Sequence, residues 1–274
     1  MVCSMNRGWP WARLLFGAAV AGALGAVVAT LAGREVPWWA LAADAGALFA
    51  AIGAGVFLLG SGLFARPILA VAPARARDRV AITFDDGPDA EHTRPLLDLL
   101  ERGGHRATFF VIGKRAEAAP ELVAEIVRRG HALGNHSYAH AYTTPFVAPD
   151  RLAADLARAQ EVMARAGARV RLFRPPIGLL SPRVAEAAKR AQLTIVGWTA
   201  TARDGRASTT AAEAAARLIA AARPGAILVL HDSVERGART PVAAAALGLL
   251  LEALAERGLR SVTLDELLSD EEKR

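Results

Sequence analysis

Val80-Ala81-Ile82-Thr83-Phe84-Asp85-Asp86-Gly87-Pro88 is the stretch on which the reading of this chain turns. Five residues without a charge, rich in β-branched and aromatic side chains, read as a strand buried on both faces. Two carboxylates follow, then Gly-Pro, a turn signal. Working outward, the same grammar repeats. Apolar strand-like runs are expected at 80–84, 107–112, 132–135, 170–174, 193–198, 226–230 and 261–264. Between them lie helical patterns at 93–102, 120–129, 149–166, 181–191, 209–222 and 241–257. Thr93, Asp150 and Ser181 stand where N-caps belong, Pro120, Pro182 and Pro241 suit a first helical turn, and Gly103, Gly130, Gly167 and Gly258 close helices. Alternating strands and helices predict an α/β fold whose parallel sheet is covered on both sides, with chemistry at the carboxyl ends of the strands.

Downstream, His136-Ser137-Tyr138-Ala139-His140 places two imidazoles four residues apart. With one carboxylate of the Asp85-Asp86 pair they form a nitrogen and oxygen donor set for a divalent ion, and the second carboxylate is left as a base. Each piece has a plain reading by itself: Asp-Asp-Gly-Pro as a turn, the histidines as a loop pair, Arg174 as a surface charge, His231 as a strand-end residue. Their shared position at the ends of strand-like runs is what makes them a site.

These residues resemble the motifs of the polysaccharide deacetylase family, also described as the NodB-homology domain or carbohydrate esterase family 4, over roughly 78–268. The resemblance implies a distorted (β/α) barrel of about seven parallel strands. It implies Asp85 as catalytic base and Asp86, His136 and His140 as ligands of a divalent metal, with zinc the default and cobalt, nickel or manganese compatible with the set. Arg174-Pro175-Pro176-Ile177-Gly178 matches the third motif, so Arg174 would orient the base and the Ile177 N–H would bind the oxyanion, although Ile stands where an aromatic residue is more usual. In Trp198-Thr199-Ala200-Thr201-Ala202-Arg203-Asp204-Gly205, Asp204 falls on the acid that orients the catalytic histidine. Thr201 and Gly205 replace the family's other Asp and its Trp. The run 226–230 ends in His231, the implied general acid, with Val229 lining the acetyl pocket beside Pro176 and Trp198.

The first 77 residues differ in kind. Two uncharged or nearly uncharged apolar segments, 14–32 and 38–65, are long enough to cross a bilayer, and the turn around Arg34 between them is too short to hold a domain. They predict a transmembrane hairpin with Trp9, Trp11, Trp38 and Trp39 at the interfaces and Asp44 near one of them. The other reading of the first segment is a cleavable signal peptide, since Arg7 and Arg13 precede it. Residues 1–77 hold six basic and two acidic residues, leaving 27 and 25 beyond. The net charge of +6 is thus mostly juxtamembrane, which suits anionic lipid and not nucleic acid. The arginines flank the hairpin's outer ends, so the positive-inside rule puts the remainder on the cytoplasmic side of a bacterial inner or plasma membrane. The one cysteine, Cys3, excludes an intrachain disulfide.

The expected domains are therefore a membrane region at 1–77, a NodB-like catalytic domain at 78–268 and a charged tail at 269–274. The expected activity is metal-dependent hydrolysis of N-acetyl groups on N-acetylhexosamine units of a glycan. Two alternatives stay open: deacetylation or deformylation of a lipid-linked sugar, and a non-catalytic, membrane-anchored glycan-binding domain.

Overall fold

The computed structural model describes residues 5–6, 11–206, 208–233 and 242–269. Cys3, Arg7, Trp9, Pro241 and the tail at 270–274, all used above, lie outside the described residues.

The strands are β1 (Met5–Asn6), β2 (Ala70–Val71), β3 (Arg79–Asp85), β4 (Ala107–Val111), β5 (Ala132–Asn135), β6 (Leu172–Phe173), β7 (Thr194–Ile195), β8 (Ala200–Thr201), β9 (Ile227–His231) and β10 (Arg260–Ser261). The helices are α1 (Trp11–Leu31), α2 (Trp38–Phe57), α3 (Pro73–Ala76), α4 (Thr93–Arg102), α5 (Gly113–Ala118), α6 (Pro120–Arg128), α7 (Pro149–Ala164), α8 (Pro182–Arg190), α9 (Ala211–Ala221), α10 (Ala243–Glu256) and α11 (Leu264–Ser269). Seven strands run parallel in the order β7-β6-β5-β4-β3-β9-β8, forming the distorted (β/α) barrel expected from the motifs. Only residues 196–199 link its two edge strands, β7 and β8.

The central strand β3 is buried from Val80 to Asp85, as its uncharged run requires. Phe84 stacks on Phe109 of β4 with ring centroids 4.8 Å apart. Leu96, Leu97 and Leu100 of α4 and Leu247, Leu250 and Leu254 of α10 are buried over the sheet.

Membership of the seven-stranded row differs from expectation. β8 was not foreseen, because two residues in a polar stretch carry no period. The strand expected at 261–264 is instead β10, which pairs with β3 at Arg79 and Val80 and lies off the row. Leu264 already belongs to α11. Two of the expected caps also differ. Ser181 does cap α8, its Oγ accepting from Val184 N at 3.2 Å. Thr93 instead occupies the first turn of α4, where its Oγ1 accepts from Asp89 N and donates to Asp232 Oδ2, both at 2.8 Å. Asp150 lies in the first turn of α7, suited to the positive end of the helix dipole, and pairs with Arg190.

α1 and α2 contact each other, and their 21 and 20 residues make each about 30 Å long. Both are long and apolar enough to cross a membrane. Trp11, Leu24, Val28, Trp38, Trp39 and Phe49 on them are exposed. α2 ends at Phe57, eight residues before the expected limit. The apolar residues that follow pack on protein: Leu59 is buried in the barrel core, and Leu63 and Phe64 fold back against Gly55. Ile68 N donates to Ile195 O at 3.0 Å and Val71 N to Gly225 O at 2.9 Å, so this segment laces the barrel seam. Asp44 is not at the start of α2. It lies about 9 Å along the axis from Trp38, against Gly22 of α1.

Candidate active site

β3 ends in Asp85, whose register partner on β9 is His231. A carboxylate at this depth needs a counterion, and Arg174, from the loop after β6, supplies it with Nη1 2.6 Å from Asp85 Oδ1. Arg174 is fully buried. Nη1 also donates to Thr83 Oγ1 and Nη2 to Gly197 O, both at 2.9 Å, and the guanidinium lies 4.1 Å from the Phe110 ring centroid. Burial pushes the Arg174 pKa down and Asp85 opposes it. The guanidinium, held by strand, loop and ring, cannot swing away from Asp85.

Asp86 has φ 76°, a left-handed turn that sends its side chain away from that of Asp85. Its Oδ1 lies 3.2 Å from His136 Nε2 and 3.1 Å from His140 Nε2. Ser137 (φ 65°) and His140 (φ 48°) are also left-handed, a conformation that costs on the order of 1–3 kcal/mol per residue unless the surroundings enforce it. Hydrogen bonds enforce it here. Asn135 Oδ1 accepts from Ser137 N at 2.8 Å, the Asp155 carboxylate accepts from Tyr138 N and Ala139 N, and Ser137 Oγ accepts from His140 N at 3.0 Å.

The donor set fits a divalent cation. One ligand atom from each of Asp86, His136 and His140 lies within 4.8 Å of the others. Ligands bonded at about 2.0–2.1 Å in a tetrahedron are about 3.3 Å apart, close to the Asp86–histidine spacings. His136 Nδ1 lies 2.7 Å from the Arg174 carbonyl oxygen, so it carries a proton and Nε2 is the nitrogen that would take an ion. Burial pushes Asp86 up, but its close contacts with the two imidazoles outweigh it and hold this carboxyl well below the usual range. His136 moves the other way: burial lowers it, and Asp86 and Asp85 raise it above the ordinary histidine value.

Across the cleft, His231 Nδ1 lies 2.7 Å from Asp204 Oδ1, and the His231 backbone N donates to Asp204 Oδ2 at 2.8 Å. Burial works against a charged His231. The Asp204 hydrogen bond and the charges of Asp204, Asp85 and Asp86 prevail, raising it to about 10. It is an imidazolium at neutral pH. Asp232, the next residue, is buried with its carboxylate so close to Gly87 that a Cβ there would collide with it. Burial raises Asp232 to about 7 against the Thr93 hydrogen bond. This packing ties the turn after Asp86 to the end of β9.

Asp85, Asp86, His136, His140, Ile177, Trp198, Val229 and His231 all line one open cleft of about 260 Å³. Arg174 and Asp204 stand behind it, touching Asp85 and His231. Pro176 does not line it: both prolines are buried, and Pro175 is the one that faces the cleft. Pro175 is extended (φ −63°, ψ 137°), so consecutive side chains point to opposite sides. Thr201, Arg203, Gly205, Arg206 and Ser233 line the cleft too, and sequence reasoning assigned none of them a role. Only their proximity to Asp204 and His231 in the chain could have signalled them.

A sequence profile of the polysaccharide deacetylase family matches residues 73–196. A peptidoglycan-N-acetylglucosamine deacetylase of Bacillus cereus is 35% identical over 191 residues, which cover 69% of this chain and 87% of the relative. The crystal structure of a peptidoglycan N-acetylglucosamine deacetylase in complex with an N-hydroxybenzamide superposes with a TM-score of 0.66 at 30% identity, covering 73% of this chain and 92% of the other. A family 4 acetyl xylan esterase from Clostridium thermocellum, in complex with cobalt, superposes with a TM-score of 0.63 at 35% identity, covering 70% and 90%. Matching motifs, a shared barrel and this identity along the relative's length make the chain a member of the polysaccharide deacetylase family of carbohydrate-deacylating hydrolases.

Proposed function

We propose that this chain removes N-acetyl groups from N-acetylhexosamine units of a glycan, with Asp85 as base and His231 as acid. The observation that carries the reading is the placement of an Arg174-held carboxylate and an Asp204-held imidazolium on two sides of one cleft that also contains the Asp86, His136 and His140 donors. Those three residues would hold a divalent ion, zinc by default with cobalt, nickel or manganese also suited. Such an ion, when bound, polarises an acyl oxygen and brings the pKa of water from ~15.7 toward ~7.

Asp85 takes the proton of the attacking water, and Arg174 keeps its carboxylate aimed at the cleft. Ile177, at φ 52°, turns its backbone into the cleft wall, where its N–H serves as oxyanion donor. Val229 closes the cavity around the acyl methyl. As the carbon–nitrogen bond breaks, His231 gives its proton to the departing amine, and acetate and a free amino sugar result. The amide nitrogen needs this proton, since without it the nitrogen would have to leave as an anion, a very poor leaving group.

One consequence is a pH profile. kcat/KM should keep its alkaline limb well above neutrality, because His231 stays protonated there. Asp204→Asn, which removes the charge that helps raise His231 and leaves only a neutral acceptor at Nδ1, should move that limb down by about one pH unit or more. An unmoved limb in that variant would show that His231 is not the acid.

We further propose that α1 and α2 form a membrane hairpin ahead of a NodB-like catalytic domain, both ends of the hairpin facing the cytoplasm. Their exposed apolar surfaces and the arginines at the outer ends support this. Extraction of the full chain should require detergent. Labelling of cysteines introduced at Arg34 and after Lys273 should place those sites on opposite sides of the membrane. A mature chain beginning within 25–40 would replace the hairpin by a signal peptide. The lipid-linked sugar is the second reading of the substrate, because Leu180 N, just beyond Ile177, donates to Val56 O of α2 at 3.1 Å. The cleft wall is thus attached to the end of the proposed membrane helix.

A further inference from the structure

Three residues of the cleft wall take no part in the chemistry above. Arg203 and Arg206 both line the cavity and are exposed on its edge. Arg206 N donates to Arg203 O at 3.2 Å, closing a turn that carries both arginines along the cavity wall. Between them, Asp204 is committed to His231. Gly205 lines the cavity as well and adds no side chain to it. Arg203 has φ 57°, the left-handed conformation, and its N–H reaches back to Thr201 Oγ1 at 3.3 Å.

Neither guanidinium has a hydrogen bond or ion pair to a protein group among the described residues. Elsewhere on the barrel surface Arg94, Arg129 and Arg190 each meet a carboxylate. Ser233 lines the same cavity, is only 4% exposed, and its Oγ has no partner among the described residues. A buried hydroxyl left without a partner is costly, and a ligand oxygen would satisfy it. The carboxylates in the cleft, Asp85 and Asp86, are taken up by Arg174 and by the two histidines. The unspent donors are therefore two cations and a hydroxyl.

We infer that Arg203, Arg206 and Ser233 form an anion subsite on the His231 side of the cleft. The acylated amino sugar this chain hydrolyses accordingly carries a carboxylate or a phosphate close to its N-acyl group. This rests on the deacetylase reading and names the substrate class that reading leaves open. Guanidinium groups suit either anion, because their planar donors can bind two oxygens at once.

The test is equilibrium binding to the full chain in detergent, in an Asp85→Asn background that prevents turnover. Three soluble probes of one length serve: a neutral N-acetylglucosamine tetrasaccharide, the same tetrasaccharide bearing an O3 carboxyalkyl ether, and the same bearing a 1-phosphate. At least one anionic probe should bind on the order of tenfold tighter than the neutral one, with a preference that weakens as salt screens the exposed arginines. The preference should vanish in Arg203→Gln/Arg206→Gln and diminish in Ser233→Ala. Preference for the carboxylate points to an acidic sugar in a polymer, and preference for the phosphate to a sugar on a phosphate-linked carrier. Equal binding of all three probes, or a preference that survives the double substitution, overturns the subsite. Acetate release from the neutral probe by the Asp85-containing chain would then leave the deacetylase reading standing. An arginine-dependent anion preference with no acetate release from any probe would sustain the subsite and overturn the deacetylase reading.

Discussion

Asp85→Asn should lower acetate release by on the order of 10²-fold or more while leaving bound metal at the wild-type level. Asn keeps the size and the oxygen that accepts from Arg174 Nη1, but it cannot take a proton from water. The proposed metal donors lie on Asp86, His136 and His140, so the ion should stay. The substitution also leaves the buried Arg174 charge without its counterion, and breaking a buried pair costs about 3–5 kcal/mol when no other group compensates. Thr83 Oγ1, Gly197 O and the Phe110 face remain around the guanidinium and reduce that loss. A thermal melt therefore accompanies the assay. A folded, metal-loaded Asp85→Asn chain with near-normal turnover would remove Asp85 from the role of base.

His136→Ala, or treatment of the wild-type chain with a chelator, should abolish turnover altogether. Removing a residue that merely supports a ligand costs roughly 10- to 100-fold in metal affinity, and removing a ligand itself should cost more. His136 is also the donor whose tautomer the Arg174 carbonyl sets. The pH dependence of metal binding carries a sign. His136 must lose its proton to bind an ion, and its pKa is raised above the ordinary 6.5. Metal affinity should therefore begin to fall at a pH above 6.5 as acid is added, with protons released on binding at neutral pH. Titration with zinc or cobalt, followed by calorimetry in buffers of different protonation enthalpy, measures both. A His136→Ala chain that binds metal with unchanged affinity would show that the ion, if any, sits elsewhere.

What could be read ahead of the structure was whatever leaves a periodic or chemically unusual trace. An uncharged five-residue run ending in two acids places Asp85 and Asp86 at a strand end, and two histidines at the end of β5 follow the same logic. The strand β8 left no trace, since two residues establish no alternation. Residues 58–65 left a misleading one: their apolar character is the same whether they face lipid or the barrel, and contacts such as Leu59 in the core decide it. Pro175 and Pro176 could not be told apart, because facing the cleft depends on backbone direction and not on residue type. Arg203, Arg206 and Ser233 escaped for another reason. A charge or hydroxyl in a polar loop is ordinary until the fold shows which cavity it lines and that it has no partner.

Incubation of the full chain, in detergent and with one defined divalent ion, with an N-acetylated oligosaccharide of the class that binds, acetate and new primary amines being counted together, tests N-deacetylation most directly. A deacetylase releases equal amounts of the two, leaves the glycan length unchanged, and loses both products in Asp85→Asn and after chelation. Absence of acetate with the ion shown to be bound, or release that Asp85→Asn leaves undiminished, would contradict this reading.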